Sequence, residues 1–122
     1  MLKLYTYQKC STCRDAVSWL RERGIAFTGI PIRETPPPVS ELEAMLKARG
    51  NLAKICNTSG MDYRALGLAE KIPGMTRDAV LALLSGNGNL IKRPFVIDQE
   101  RGIFLTGFRK PEWQAALADI FC

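Results

Sequence analysis

Two cysteines three positions apart, in the run Cys10-Ser11-Thr12-Cys13, are the residues of this sequence best placed to do chemistry. A thiolate attacks disulfide sulfur, and a second thiol one helical turn away can close a small ring with it and resolve a mixed disulfide. The run follows a predicted strand and opens a predicted helix, which matters more than the spacing. A helix start presents unpaired N–H groups and the positive end of the dipole. A thiol there ionises below the ~8.5 of free cysteine, so Cys10 is the candidate nucleophile and Cys13 its partner. Arg14, one turn on, adds positive charge. Ser11, Thr12 and Arg14 are candidates for contacting the substrate. The bland alternative is that both cysteines are small buried hydrophobes. The strand–CxxC–helix context argues against it.

The other cysteines read differently. Cys56 falls on an apolar helical face and suits the core, and Cys122, the last residue, suits a frayed free thiol. Neither offers a second close pair, and the sequence contains no histidine, so a zinc site lacks ligands. Ser-His-Asp triads and imidazole proton shuttles are excluded for the same reason.

Arg93-Pro94 opens a later predicted strand. Proline is awkward in an inner strand, so a special backbone conformation is expected there. Arg93 beside it would face the site and attract an anion or the thiolate. A surface arginine next to an edge-strand proline is the plainer alternative. Asn57-Thr58-Ser59-Gly60 is a polar, compact segment for which a simple turn would account, with Asn57 a further candidate, like Pro94, for contacting the substrate.

These residues need positioning elements. Leu2–Tyr7 alternates apolar and polar residues as a strand does, and Ala16, Val17 and Leu20 recur at helical spacing up to a stop at Gly24. Ile25–Ile32 reads as a second strand, which makes a right-handed parallel βαβ unit. Three prolines at 36–38 form a rigid linker. Ser40 and Glu43 read as a capping box for a helix ending at Gly50. Leu52–Cys56 and Asp62–Leu68 read as short helical pieces, and Thr76 caps a helix through Leu84. Gly86–Asn89 reads as a loop. Pro94–Asp98 and Ile103–Thr106 form a hairpin around Arg101-Gly102, and a helix from Pro111 to Phe121 closes the chain. The order is β-α-β, several helices, then β-β-α. It implies an α/β protein with a mixed sheet of about four strands and a helical insert.

With 122 residues, 47% of them hydrophobic, the chain is long enough for one domain, 1–122, with its own core. The N-terminus shows no basic stretch followed by a long apolar segment, and no run approaches a membrane span, so a cytoplasmic protein is expected. A lone close dithiol suits that reducing compartment. The net charge of +5 is spread along the chain with no polybasic block, and direct DNA binding is not expected.

Taken together, Leu4-Tyr5-Thr6-Tyr7 before Cys10-Ser11-Thr12-Cys13-Arg14, Asn57-Thr58-Ser59-Gly60 with Tyr63 and Leu66-Gly67-Leu68, Ile91-Lys92-Arg93-Pro94, and Gly107-Phe108 resemble the arsenate reductase family in its Spx-like branch. The resemblance implies a thioredoxin-like fold with a helical insert, Cys10 as nucleophile, and Arg93 beside a cis Pro94 that packs near the thiol and lets a bound peptide pair with the backbone. True arsenate reductases of the family hold the oxyanion with three arginines. Here Arg93 matches one, Asn57 stands where another is expected, and the third region reads Gly107-Phe108-Arg109. One arginine holds a dianion poorly, so arsenate reduction is not the expected activity. The resemblance leaves two expectations. One is a thiol–disulfide reductase without a bound cofactor, with glutathione as co-substrate or thioredoxin-linked. The other is an Spx-like redox regulator binding the C-terminal domain of the RNA polymerase α subunit. Spx proteins carry an arginine where this chain has Ser59, and a longer basic tail than one ending at Cys122, which favours the enzyme.

Overall fold

The computed structural model describes residues 1–121; Cys122, read above as a free thiol, lies outside the described residues. In chain order the elements are β1 (Leu2–Thr6), α1 (Ser11–Glu22), β2 (Phe27–Pro31), α2 (Val39–Arg49), α3 (Met61–Ala65), α4 (Leu68–Lys71), α5 (Arg77–Gly86), β3 (Phe95–Asp98), β4 (Ile103–Thr106) and α6 (Lys110–Phe121). Short 3-10 turns cover Leu52–Lys54, Ile72–Gly74 and Gly88–Leu90. Two compact units arise, Met1–Pro31 with Arg93–Cys122, and Ile32–Lys92. None of the described helices is long and apolar enough to cross a membrane.

The first unit holds the mixed four-stranded sheet, in the order β2-β1-β3-β4. β1 runs parallel to β2 and antiparallel to β3, and β3 runs antiparallel to β4. The parallel pair is joined through α1, as the strand–helix–strand order requires. Leu2 and Leu4 are fully buried while Lys3 between them is exposed, and Tyr5, on the same side of the strand as Lys3, is buried as well. Leu4, Val96 and Leu105 follow one another across the register. They share a core with Ala16, Trp19 and Leu20 of α1 and with Trp113 and Leu117 of α6. Both helices therefore cover the same face of the sheet. On the other face Tyr5 meets Phe95 edge-on, with ring centroids 5.6 Å apart.

Two turns fix this unit's ends. In the β3–β4 hairpin the buried Asp98 accepts from the Arg101 N–H at 3.3 Å and pairs with Arg101 Nε at 3.4 Å. After β4, Gly107 takes a positive φ of 72°, where a side chain would be strained. There its N–H donates to the Pro94 carbonyl at 2.9 Å, and its own carbonyl accepts from the Trp113 indole at 3.0 Å.

The second unit is helical. α2 and α5 pack together, burying Leu42 and Met45 of one and Val80, Leu81 and Leu84 of the other. Thr76 caps α5 as expected, its hydroxyl oxygen accepting from the Ala79 N–H at 3.1 Å. The Ser40–Glu43 capping box does not form. α2 starts earlier, at Val39, because the Pro38 carbonyl already accepts from the Glu41 and Leu42 N–H groups at 3.0 and 3.1 Å. Glu43 instead lies 3.9 Å from Arg77. The expected 62–68 helix ends at Ala65, and a second helix begins at Leu68 after Gly67 with φ 63°. Part of the expected 86–89 loop is a 3-10 turn. The helical piece expected over Leu52–Cys56 is present but shorter, a 3-10 turn at Leu52–Lys54, and Cys56 forms an isolated antiparallel bridge with Ile91.

Candidate functional site

Cys10 sits at the N-cap of α1 with an extended backbone (φ −89°, ψ 116°). Its N–H donates to the Tyr7 carbonyl at 3.0 Å, and its carbonyl accepts from the Arg14 N–H at 3.1 Å. The short Tyr7–Cys10 turn thus delivers the chain from β1 straight into α1, with the thiol at the positive end of a twelve-residue helix. Cys10 is half-buried, whereas Cys13 is only 1% exposed.

The two thiols are driven apart in acidity. Burial raises the Cys10 pKa, but the backbone N–H and thiol of Cys13, a hydrogen bond from Arg93 and the charge of Arg93 outweigh it. The sulfur makes no regular capping hydrogen bond, so these groups act by favouring its thiolate, and Cys10 ionises below its ordinary value. Cys13 goes the other way. Burial pushes its pKa up to about 12, the neighbouring Cys10 adding to the rise while the Tyr7 backbone and the Arg93 charge oppose it. Cys56, in the second unit, is pushed up to about 11 by burial. It suits the core, on a bridge rather than the helical face expected.

Arg93 is half-buried and stands next to the Cys10 thiol, and the Arg93–Pro94 peptide is cis. Its guanidinium carbon lies 4.8 Å from the centre of the Tyr7 ring, and its Nη1 is buried without a hydrogen-bond partner. Pro94 is buried, and its carbonyl is taken by Gly107. Ser11, Thr12 and Arg14 are exposed on the first turns of α1. Arg14 lines an open cleft of about 350 Å³ with Tyr7, Gln8, Cys13, Val17 and Arg21. Arg109 is exposed at the start of α6.

Asn57 belongs to the second unit. Its N–H donates to the Leu90 carbonyl at 2.8 Å and its amide to the Asn89 carbonyl at 3.3 Å. The turn it opens closes through the Gly60 N–H, and a Cβ at Gly60 would meet the Asn57 amide at 2.6 Å. The carboxylate of Asp62 accepts from Asn87 and Asn89 at 3.2 and 3.1 Å. This polar network escaped the sequence reading, although four Asn and Asp side chains flanking Gly-rich turns were a signal for it. Tyr7 escaped too; an aromatic at a strand's end, three residues before a reactive cysteine, was its signal.

The ArsC family model matches residues 5–116. The chain belongs to the ArsC family. Among the ArsC relatives, the uncharacterized protein YusI of Bacillus subtilis is 44% identical over 114 residues, covering 93% of this chain and 95% of that one. The global transcriptional regulator Spx of Enterococcus faecalis is 31% identical over 92% of this chain and 83% of its own. An arsenate reductase of Neisseria meningitidis is 32% identical over 79% and 82%. Of solved ArsC-related structures, one from Bacteroides fragilis superposes with a TM-score of 0.85 at 39% identity, covering 94% of this chain and 96% of that chain. The fold is accordingly the α/β, thioredoxin-like fold of ArsC proteins.

The acidity split predicts an order of labelling. Because the Cys10 pKa is lowered, its thiolate persists as pH falls below the ordinary cysteine value and is lost only through the lower folded-state value. Iodoacetamide at mildly acidic pH is expected to label Cys10 first, read by peptide mass spectrometry. Earlier labelling of Cys13 or Cys56 would overturn the assignment.

Proposed function

We propose that this ArsC-family protein is a cytoplasmic thiol–disulfide oxidoreductase, its 1–122 chain acting as one domain. Its substrates are disulfides or glutathione mixed disulfides. The observation that carries this reading is the Cys10 sulfur at the start of α1, its pKa lowered, with Arg93 beside it and Cys13 within hydrogen-bond reach.

The steps follow from the acidities. The Cys10 thiolate attacks one sulfur of a substrate RS–SR′, forming Cys10–S–SR and expelling R′S⁻, which takes up a proton. That step consumes the charge on Cys10, one of the causes holding the Cys13 proton in place. Cys13 then attacks the Cys10 sulfur, and its proton leaves with the expelled sulfur as RSH. The protein is left with a Cys10–Cys13 disulfide, oxidised by two electrons. Two glutathione molecules or a thioredoxin-type dithiol return those electrons and are themselves oxidised to a disulfide. Arg93, half-buried beside the thiol, supplies a further function as a cation suited to a carboxylate of a thiol-bearing peptide. Because Gly107 occupies the Pro94 carbonyl, peptide pairing beside the cis proline falls to the backbone of Arg93.

Side-by-side assays with arsenate and a glutathionylated protein test the proposal. Mixed-disulfide reduction is expected, with little arsenate turnover. Arg93→Ala is expected to lower kcat/KM for the mixed disulfide by about 10- to 150-fold, the ~1.5–3 kcal/mol of a charged hydrogen bond. Efficient arsenate turnover that disappears in Arg93→Ala would replace this reading with arsenate reduction.

The 31% identity to an Spx regulator favours a second reading, in which the same dithiol switches binding to the RNA polymerase α subunit. Redox-dependent capture of the α C-terminal domain, without disulfide turnover, would select it.

A further inference from the structure

Arg93 is held in an unusual way for a half-buried arginine. Among the described residues it forms no ion pair with a carboxylate, and its Nη1 has no hydrogen-bond partner. What meets its guanidinium is the ring of Tyr7, 4.8 Å from the guanidinium carbon to the ring centre. We infer that Tyr7 is a positioning residue, whose ring holds the Arg93 guanidinium beside Cys10 without neutralising it.

The physical distinction is between two ways of fixing a cation. A carboxylate would fix Arg93 firmly but cancel its field, leaving little to favour a thiolate or bind an anionic substrate. An aromatic face attracts the guanidinium through its quadrupole and carries no net charge. The positive charge therefore stays available to Cys10. The ring is itself anchored to the nucleophile's turn, since the Tyr7 carbonyl accepts the Cys10 N–H at 3.0 Å. The same residue's backbone also faces the Cys13 thiol. One residue thus couples the strand end, both cysteines and the arginine.

The inference rests on Cys10 being the nucleophile, and its test separates the two. The pH dependence of Cys10 alkylation is measured in the wild type and in Tyr7→Phe, Tyr7→Leu and Arg93→Ala. Tyr7→Phe keeps the ring and is expected to match the wild type. Tyr7→Leu is expected to raise the pH at which Cys10 ionises by about 0.5–1, which slows alkylation below that pH about three- to tenfold. In an Arg93→Ala background the leucine substitution should then add nothing. Tyr7→Met also removes the aromatic face while leaving Arg93 intact, and reads the same shift should Tyr7→Leu fail to fold. A Cys10 pKa that is depressed in the wild type and unmoved by Tyr7→Leu or Tyr7→Met overturns the role of Tyr7 alone. So does a leucine effect that persists without Arg93. An undepressed Cys10 in the wild type overturns the nucleophile assignment, and the role of Tyr7 falls with it.

Discussion

Cys10→Ser is expected to lose disulfide reduction by at least about 10³-fold in kcat/KM, because a serine hydroxyl cannot form the sulfur–sulfur bond on which a covalent mechanism turns. No other thiol among the described residues is suited to replace it. Cys13 is 1% exposed and its pKa is pushed up to about 12. Its proton is therefore held far more tightly than that of Cys10. Cys56 is also buried, 3% exposed, with a pKa pushed up to about 11. The substitution is nearly isosteric at a half-buried position, so thermal unfolding should stay close to wild type. Turnover of a glutathionylated protein is the measurement, and residual activity above about one part in a hundred would move the nucleophile elsewhere. The companion variant Cys13→Ser separates two resolving routes. If it still cycles with glutathione, an external thiol resolves the mixed disulfide and Cys13 is dispensable.

The second large effect lies in the core. Trp113→Ala should destabilise the fold by about 3–5 kcal/mol, the usual cost of deleting a large buried aromatic. Trp113 is fully buried between α6 and the sheet. Its ring meets Trp19 and Phe108 edge-on, at 5.9 and 4.9 Å between centroids. Its indole N–H donates to the Gly107 carbonyl at 3.0 Å, and Gly107 in turn bonds the Pro94 carbonyl. The loss therefore reaches the site as well as the core. Trp113→Phe keeps most of the apolar surface but strands that carbonyl, and about 1–3 kcal/mol of the loss should remain. Urea denaturation reads both through the midpoint at constant slope. A Trp113→Ala loss below about 1 kcal/mol would mean that this cluster can collapse around the void.

Much of the fold was legible without coordinates, for local reasons. Alternation in Leu2–Tyr7 reports a covered strand, and the 103–106 strand and the Gly50 and Thr76 helix ends follow from residue-level preferences. The β-α-β and β-β-α order is enough to require a mixed sheet. The misreadings came where a local signal competed with another. Ser40 offered a cap, but Pro38 had already started the helix. Cys56 looked helical by apolar spacing, yet it pairs with Ile91, 35 residues away, and no short window carries that information.

The division at the site is similar. From sequence alone came the CxxC run at a helix start, the choice of Cys10 as the more acidic thiol and the singling out of Arg93-Pro94, because the helix dipole and proline's missing N–H are local properties. Tertiary structure alone decided that Arg93, 83 positions along the chain from Cys10, stands beside it, since antiparallel pairing of β3 with β1 returns the chain to that point. It alone stacked that arginine on Tyr7 and sank Cys13 below the surface. Charge, burial and aromatic contact depend on which distant residues the sheet brings together, and they set how far the two thiols differ.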